Sequence, residues 1–325
     1  MAYSSSMDIT SQRLQNQRLA GNPLKNPEEV VQWMGAIQAQ DYAGAKWAIA
    51  QRSENTTSAA IDKLLADGAI VRTHVMRPTW HFVMPADIRW LLKLTAPRVI
   101  AAMAYQNRLQ ELGDADFRRA NKLFISALQG GKQLTRTELA HALQQGGIEA
   151  RGVRLACLLM RAELDGVICS GGRLGKQFTY ALLDERVPPT KPWTREESLA
   201  ELAGRYFTSH GPATAQDFAK WSGLLVSDAR KGAEMVKTRE IRVKAPTIHL
   251  LPIFDEYLFA TKDHAAPSII LNGRVIGQWR RTLEKNTAVI ETKLSIRLGK
   301  SEQVALNAAA KRYSRFLEIP VVIDS

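Results

Sequence analysis

SAAIDKLLADGAIVRTHVMRPTWHFV, residues 58–83, changes its period in mid-stretch, from helical to extended. Thr57 or Ser58 offers an N-cap for a helix over residues 59–66, on which Ile61, Leu64 and Leu65 share one face, and Asp67-Gly68 stops it. Residues 69–75 and 78–83 are rich in Val, Ile, Thr, Trp and Phe on either side of Met76-Arg77-Pro78, which predicts a two-stranded hairpin. Upstream, residues 14–19 carry a short amphipathic helical pattern. Asn26-Pro27-Glu28-Glu29 supplies an N-cap, a proline at the first helical position and first-turn acids for a helix running to about residue 37. Helices followed by a hairpin are the winged-helix order.

The order recurs, and the recurrence carries more weight than either copy. Helical patterns over residues 96–112, 116–128, 139–145 (opened by Thr137-Glu138) and 151–165 lead to Asp165-Gly166. Val167-Ile168-Cys169 and residues 177–182 then flank the loop Ser170-Gly171-Gly172-Arg173-Leu174-Gly175-Lys176, a second wing. That loop lacks the glycine spacing and the hydroxyl after Lys176 that a phosphate-cradling loop requires, so nucleotide binding is set aside. Val187-Pro188-Pro189-Thr190-Lys191-Pro192 reads as a stiff linker and a domain boundary. Beyond it, helices over 196–210, 215–222 and 228–236, the last two separated by Gly223, have helix-turn-helix spacing, a third copy. From residue 241 the pattern turns strand-like: 248–254, 268–271, the turn Asn272-Gly273, 275–279 and 288–294, then one helix over 302–317 and a last strand at 320–323. The expected class is α+β: winged helices over 1–95, 96–190 and 191–245, followed by a small β-barrel over 246–325 with one inserted helix.

At 325 residues the chain can bury a sizeable core without disulfide or metal staples. Its 45% hydrophobic and 23% charged residues, with 21 Gly and 13 Pro, exclude disordered, collagen-like and coiled-coil chains. No uncharged apolar run reaches the roughly 18 residues of a membrane span, and the serine-rich start has no secretory signature, so the expected location is the cytoplasm. Cys157 and Cys169 match neither a redox pair nor a zinc knuckle and are expected to be reduced and buried. Lys and Arg outnumber Asp and Glu by 44 to 32, a net charge of +12 without a basic tail. A polyanion must therefore meet folded surface, and nucleic acid is the leading partner, with a basic housekeeping enzyme as the plainer reading.

Six histidines form neither an HxxxH nor an HxH pair, and no serine sits in a GxSxG elbow, so no metal or serine-nucleophile site is expected. Asp255-Glu256 follows a predicted strand. Adjacent residues of an extended chain point opposite ways, so one structural and one exposed acid is the simpler reading against a catalytic pair. Gln38-Ala39-Gln40-Asp41 closes the apolar helical pattern that starts at Val30, and by spacing alone helix-end glutamines are read as solvated or bonded back to free carbonyls rather than as functional. In the first hairpin, alternation puts Arg72, His74 and Met76 on one face and groups Thr79 with His81, so an Arg and His cluster competes with ordinary exposed alternation.

Five stretches, taken together, resemble the AlkZ-like family of winged-helix DNA glycosylases. They are Gln38-Ala39-Gln40-Asp41, residues 72–83, residues 206–224 with Gly211-Pro212-Ala213-Thr214, residues 251–257 with Phe254-Asp255-Glu256-Tyr257, and residues 272–280. The resemblance spans nearly the whole chain, in order as well as content. It implies three tandem winged helices and a C-terminal β-barrel around a channel for duplex DNA, and an activity on alkylated bases and interstrand crosslinks. The family's catalytic motif is two glutamines about an aliphatic residue, or glutamine and aspartate in a crosslink-repair branch. Gln38, Ala39 and Gln40 match the first form.

The resemblance further implies a monofunctional, water-using monomer without cofactor or metal, acting chiefly on N7-alkylguanine in double-stranded DNA. An N7-alkylated guanine already carries the positive charge that leaving-group protonation would supply, so amides that hold water and steady an oxocarbenium-like state suffice. Arg72, Arg77, His81, Arg173, Lys176, Arg280 and Arg281 are the phosphate candidates by charge and turn position, and Lys46 is read as a phosphate contact rather than a Schiff-base lysine. Trp47, Trp80 and Trp279 are read as core more readily than as base-stacking residues. The rival is a non-catalytic winged-helix DNA-binding protein, a regulator or lesion binder. A third reading, an enzyme unrelated to nucleic acid that uses Asp255 and Glu256, is distinguished by its indifference to Gln40→Ala.

Overall fold

The change of period at Gly68 is present in the fold. Helix Ser58–Asp67 ends at Gly68, whose φ of 80° is left-handed, and strands Val71–His74 and Trp80–Val83 pair antiparallel with Thr73 opposite His81. The computed structural model describes residues 6–236, 247–259 and 265–324. The strand pattern expected over 241–246, and His264, lie outside the described residues. The architecture is mixed α and β, and by contact the chain divides into two compact units. One comprises Met1–Ile61, Ala203–Phe218 and Gly232–Ser325, the other Asp62–Leu202 and Ala219–Lys231.

The unit that contains the first hairpin continues in a 25-residue helix, Pro85–Leu109. The expected start near residue 96 is corrected: Pro85 takes the first helical position, and Pro97 lies inside the helix. Helices Asp114–Leu128, Arg136–Gln145 and Gly152–Leu164 follow, each close to its expected span. Thr135 and Glu138 form a reciprocal capping box that starts the middle one. Their apolar faces bury Phe117, Phe124, Leu139, Leu143 and Leu158 in one core against strands Ile168–Leu174 and Gln177–Leu182, and Leu134–Thr135 pairs with the second of these. The proline stretch 188–192 is no free spacer. Arg89 and Lys93 donate to the carbonyls of Val187 and Trp193 at 3.0 and 2.7 Å, and Trp193 stacks on Trp90 with centroids 5.3 Å apart.

The other unit is built on a five-stranded sheet in chain order: Ile248–Leu251, Ser268–Leu271, Arg274–Leu283, Ala288–Leu294 and Val321–Asp324. The first four are antiparallel neighbours, and helix Lys300–Leu317 carries the chain across so that the fifth pairs parallel to the fourth. First and last strands therefore lie at opposite edges, and the sheet is an open half-barrel where a small β-barrel was expected. The crossing helix packs on the first and last strands and on helix Tyr42–Ala50. Between them Trp47, Trp279, Tyr313 and Phe316 pack edge to face, tilted and stacked at 4.8–5.9 Å. Among the described residues no helix is long and apolar enough to cross a membrane.

Candidate active site

Helix Pro27–Met34 starts as the sequence predicts, with Asn26 Oδ1 accepting from the Glu29 N–H at 2.8 Å. It stops three residues short of the expected end, at Gly35, whose φ of 79° turns the chain out of the helix. Ile37–Gln38 is extended, and the next helix, Tyr42–Ala50, opens after Asp41. The Gln38-Ala39-Gln40 motif is therefore an extended crossing between two helices, not a helix end. Ala39 and Gln38 are buried and Gln40 is exposed. A side chain as small as alanine lets the backbone sit in the interior here while the glutamine beyond it reaches the surface.

What holds this crossing comes from far along the chain. The Glu256 carboxylate accepts the backbone N–H of Gln38 at 2.7 Å and lies 3.4 Å from His210 Nε2. His210 stacks on Tyr206 at 4.7 Å, and its Nδ1 is 2.8 Å from Ser209 Oγ. The neighbouring Asp255 takes two hydrogen bonds from the Arg52 guanidinium, at 2.7 and 3.0 Å, and accepts the Tyr257 N–H at 2.9 Å. Arg52 also donates to the Ala48 carbonyl and to Gln17 Oε1. The expectation that one of the two acids is exposed is wrong: both are buried. The strand ends at Leu251, and a turn through Phe254, with φ of 63°, leads into the single helical turn Glu256–Leu258. Strand alternation does not apply on such a path. Trp47 and Trp279 fasten the same segment by donating to the carbonyls of Leu250 and Leu251 at 2.7 and 2.8 Å, so both are core residues.

Beside the motif a cleft of about 550 Å³ opens between Asp41, Gly44, Pro252, Trp279, Arg280 and Lys293. A Cβ on Gly44 would meet Asp41 Oδ2 at 2.6 Å and the Pro252 side chain at 2.9 Å, so only glycine admits the helix this close to the turn. Asp255 is paired with Arg52 and Glu256 is engaged by a backbone amide. The polar lining of the cleft itself includes the acids Asp41 and Glu291, the Gln278 amide and the cations Arg280, Arg281 and Lys293, with Gln40 exposed next to Asp41 in the chain.

The basic candidates divide by exposure. Arg173, Lys176 and Arg280 are exposed, and Arg281, half-buried, donates to the Tyr313 hydroxyl. Arg77 is half-buried, donating to the Trp221 carbonyl, with Nη2 3.2 Å from His81 Nε2. Three candidates face inward, against expectation. Lys46 is buried and donates to Ser58 Oγ at 2.6 Å. Arg72 is buried with its guanidinium 4.3 and 4.4 Å from the rings of Trp80 and Phe178. His81 is fully buried, on the opposite hairpin face from Arg72 and His74, so no single-face cluster of Arg and His forms. His74 instead meets buried Glu163 at 2.5 Å. Sequence reasoning missed Arg52, His210 and the buried role of Glu256. Their partners lie 203, 46 and 218 residues away, and no local spacing marks them.

A family model described as DNA glycosylase AlkZ-like matches residues 31–266, which hold both glutamines, Glu256 and Arg52. The chain belongs to the AlkZ-like DNA glycosylases. A curated relative, the interstrand DNA cross-link repair glycosylase of Streptomyces sahachiroi, is 24% identical over an alignment of 331 residues, covering 82% of this chain and 85% of the relative. The solved structure of the S. sahachiroi DNA glycosylase AlkZ matches 99% of this chain and 100% of its own, with a TM-score of 0.79 at 20% identity. The AlkZ-like fold thus extends past the matched residues, through the half-barrel and its crossing helix.

Proposed function

We propose that this AlkZ-like chain hydrolyses the N-glycosidic bond of N-alkylated purines in duplex DNA, chiefly N7-alkylguanine, with interstrand crosslinks within its range. Gln38 and Gln40 are the residues assigned to the reaction. The observation that carries this reading is the fixed extended crossing: a buried carboxylate holds the Gln38 N–H at 2.7 Å, and Gln40 stands at the surface beside the cleft. The curated relative's name, a cross-link repair glycosylase, supports the substrate class.

In the proposed reaction the C1′–N bond breaks with its electron pair going to the base, whose N7 charge it neutralises. Water then adds to C1′ and gives up a proton. The departing base is already cationic, so no strong general acid is needed. Amides that orient the water and hydrogen-bond the sugar lower the barrier by about 1.4 kcal/mol for each tenfold in rate. The two buried acids serve position: one is paired, the other accepts a backbone N–H. Tandem winged helices, ending in the hairpins 71–83 and 168–182 and the helices 215–234, carry the duplex. Arg173, Lys176, Arg280, Arg281 and Arg77 meet its phosphates. The enzyme acts as a cytoplasmic monomer on double-stranded DNA, with no membrane or cofactor involved.

The test is base release from duplex DNA containing N7-methylguanine, with the Gln38→Ala, Gln40→Ala double variant beside the wild type. Release by the wild type alone, with DNA binding kept in the variant, is the expected result. If neither protein releases base from this duplex or from a crosslinked one while both bind DNA, the non-catalytic reading replaces this one.

A further inference from the structure

At the C-terminal end of helix Tyr42–Ala50, in the same compact unit, lies a second cleft of about 370 Å³. It is lined by Arg18, Gln51, Glu54, Arg312 and Arg315 among others. The two last arginines stand three apart on helix Lys300–Leu317, hence on one face, and lie beyond the residues the family model matches. None of the three guanidiniums forms an ion pair among the described residues. Arg18 is steadied by the Trp33 ring 4.3 Å away, and its Nε has no hydrogen-bond partner. Gln51 is buried, and its amide Nε2 likewise lacks a partner. Glu54, the single acid of the lining, is exposed and paired with none of the arginines. Arg312 and Arg315 are exposed, and desolvation of the Arg312 guanidinium by the surrounding protein together with the charge of Arg315 pulls it below its ordinary pKa.

Solvent eases the repulsion between the exposed Arg312 and Arg315, while the buried Gln51 amide has no acceptor; an anion in the cleft would answer both. Guanidinium forks match the several oxygens of a phosphate, which can take two parallel hydrogen bonds from each. We propose that this cleft is a second anion site, built to take a phosphate group. The phosphate is either a backbone phosphodiester of DNA or free inorganic phosphate, and only the first depends on the function proposed above. Helix Tyr42–Ala50, nine residues at 1.5 Å each, separates the cleft from the motif by about 14 Å along its axis. One DNA strand covers that length in about four steps of 3.4 Å.

The experiment uses the full chain, the Arg312→Gln, Arg315→Gln double variant, Gln51→Leu, and a Lys300→Gln, Lys311→Gln control with the same charge loss on the same helix outside the cleft. Inorganic phosphate is titrated by calorimetry, and an undamaged duplex is bound across a range of NaCl concentrations. Phosphate saturation in wild type, weakened tenfold or more in both cleft variants but not in the control, is the expected result. If the slope of log K against log salt also falls by about 0.9 or more in the double variant relative to the control, the occupant is a backbone phosphate. An unchanged slope assigns the site to free phosphate. A slope change specific to the cleft variants, without phosphate saturation, assigns it to the backbone alone. Phosphate binding and salt slope both indistinguishable from the control overturn the proposal. Base release by wild type, measured separately, tests the glycosylase reading and does not depend on either arm.

Discussion

Arg52→Met removes one half of the most enclosed ion pair of the described residues. Both side chains are essentially without solvent access, and the guanidinium makes two bonds to Asp255, one to the Ala48 carbonyl and one to Gln17. Without it, Asp255 keeps the hydrogen bond from the Tyr257 N–H but remains an uncompensated buried charge. Breaking such a pair on one side destabilises by about 3–5 kcal/mol, whereas replacing both members with apolar residues of similar size is often neutral. We therefore predict that Arg52→Met loses about 3–5 kcal/mol in urea unfolding followed by tryptophan fluorescence. Arg52→Met, Asp255→Leu should recover at least 2 kcal/mol of that. Base release, measured where each variant is folded, should follow the stability of the segment that carries Glu256. A single variant within 1 kcal/mol of wild type, or a double variant no better than the single, refutes the reasoning. Full stability in Asp255→Asn with activity abolished would instead point to Asp255 in the chemistry.

Three further outcomes follow from the geometry. Glu256→Ala removes the carboxylate that accepts the Gln38 N–H, so kcat for base release should fall at least tenfold with duplex affinity within threefold. Glu256→Gln, which keeps an acceptor oxygen, should restore part of the rate, and equal loss in both variants counts against a positioning role. His249 is held neutral by burial and by the charges of Arg312 and Arg52, which push its pKa down to about 3. The unfolded chain, with an ordinary histidine pKa near 6.5, binds a proton that the folded chain refuses as pH falls, so this contribution is full above about 6.5 and declines toward pH 3. Roughly 2 kcal/mol should be gone by pH 5, and His249→Leu should lack that component in urea titrations at pH 5 and 7.5. Burial raises the pKa of Cys157 and lifts that of Cys169 to about 12, so a thiol reagent at pH 8 should modify neither until the protein unfolds.

The sequence made the hairpins and most helices legible because each is written in local period and punctuation. Thr57 capping the helix after it, the Asp-Gly stops at 67–68 and 165–166, and the Asn272-Gly273 turn are read within a few residues of chain. The conformation of the Gln38-Ala39-Gln40 stretch was not legible. Gly35, one residue past Met34, was the stop signal, and the apolar run to Ile37 outweighed it although those residues are buried as extended chain. Polar hairpin residues were read as exposed because the sequence does not show what lies opposite. Arg72 is buried against two rings, and His74 against Glu163. How far the expected barrel closes was not legible for a related reason: strand count and spacing are local, but which edges meet is decided by where the crossing helix lays the last strand.

The interleaving of the chain gives the site a timetable. The unit that contains Gln38 is made of three segments, with its carboxylate anchor 218 residues downstream and the Arg52 partner 203 downstream. At 5–20 residues per second, about 10–40 s of synthesis separate the two halves of each contact. During that interval the stretch Asp62–Leu202, contiguous and with its own core, can finish folding, while the first sixty residues hold a half-built interior. A nascent chain stalled anywhere before Asp255 therefore presents both glutamines without the groups that fix them until the last quarter of the sequence emerges.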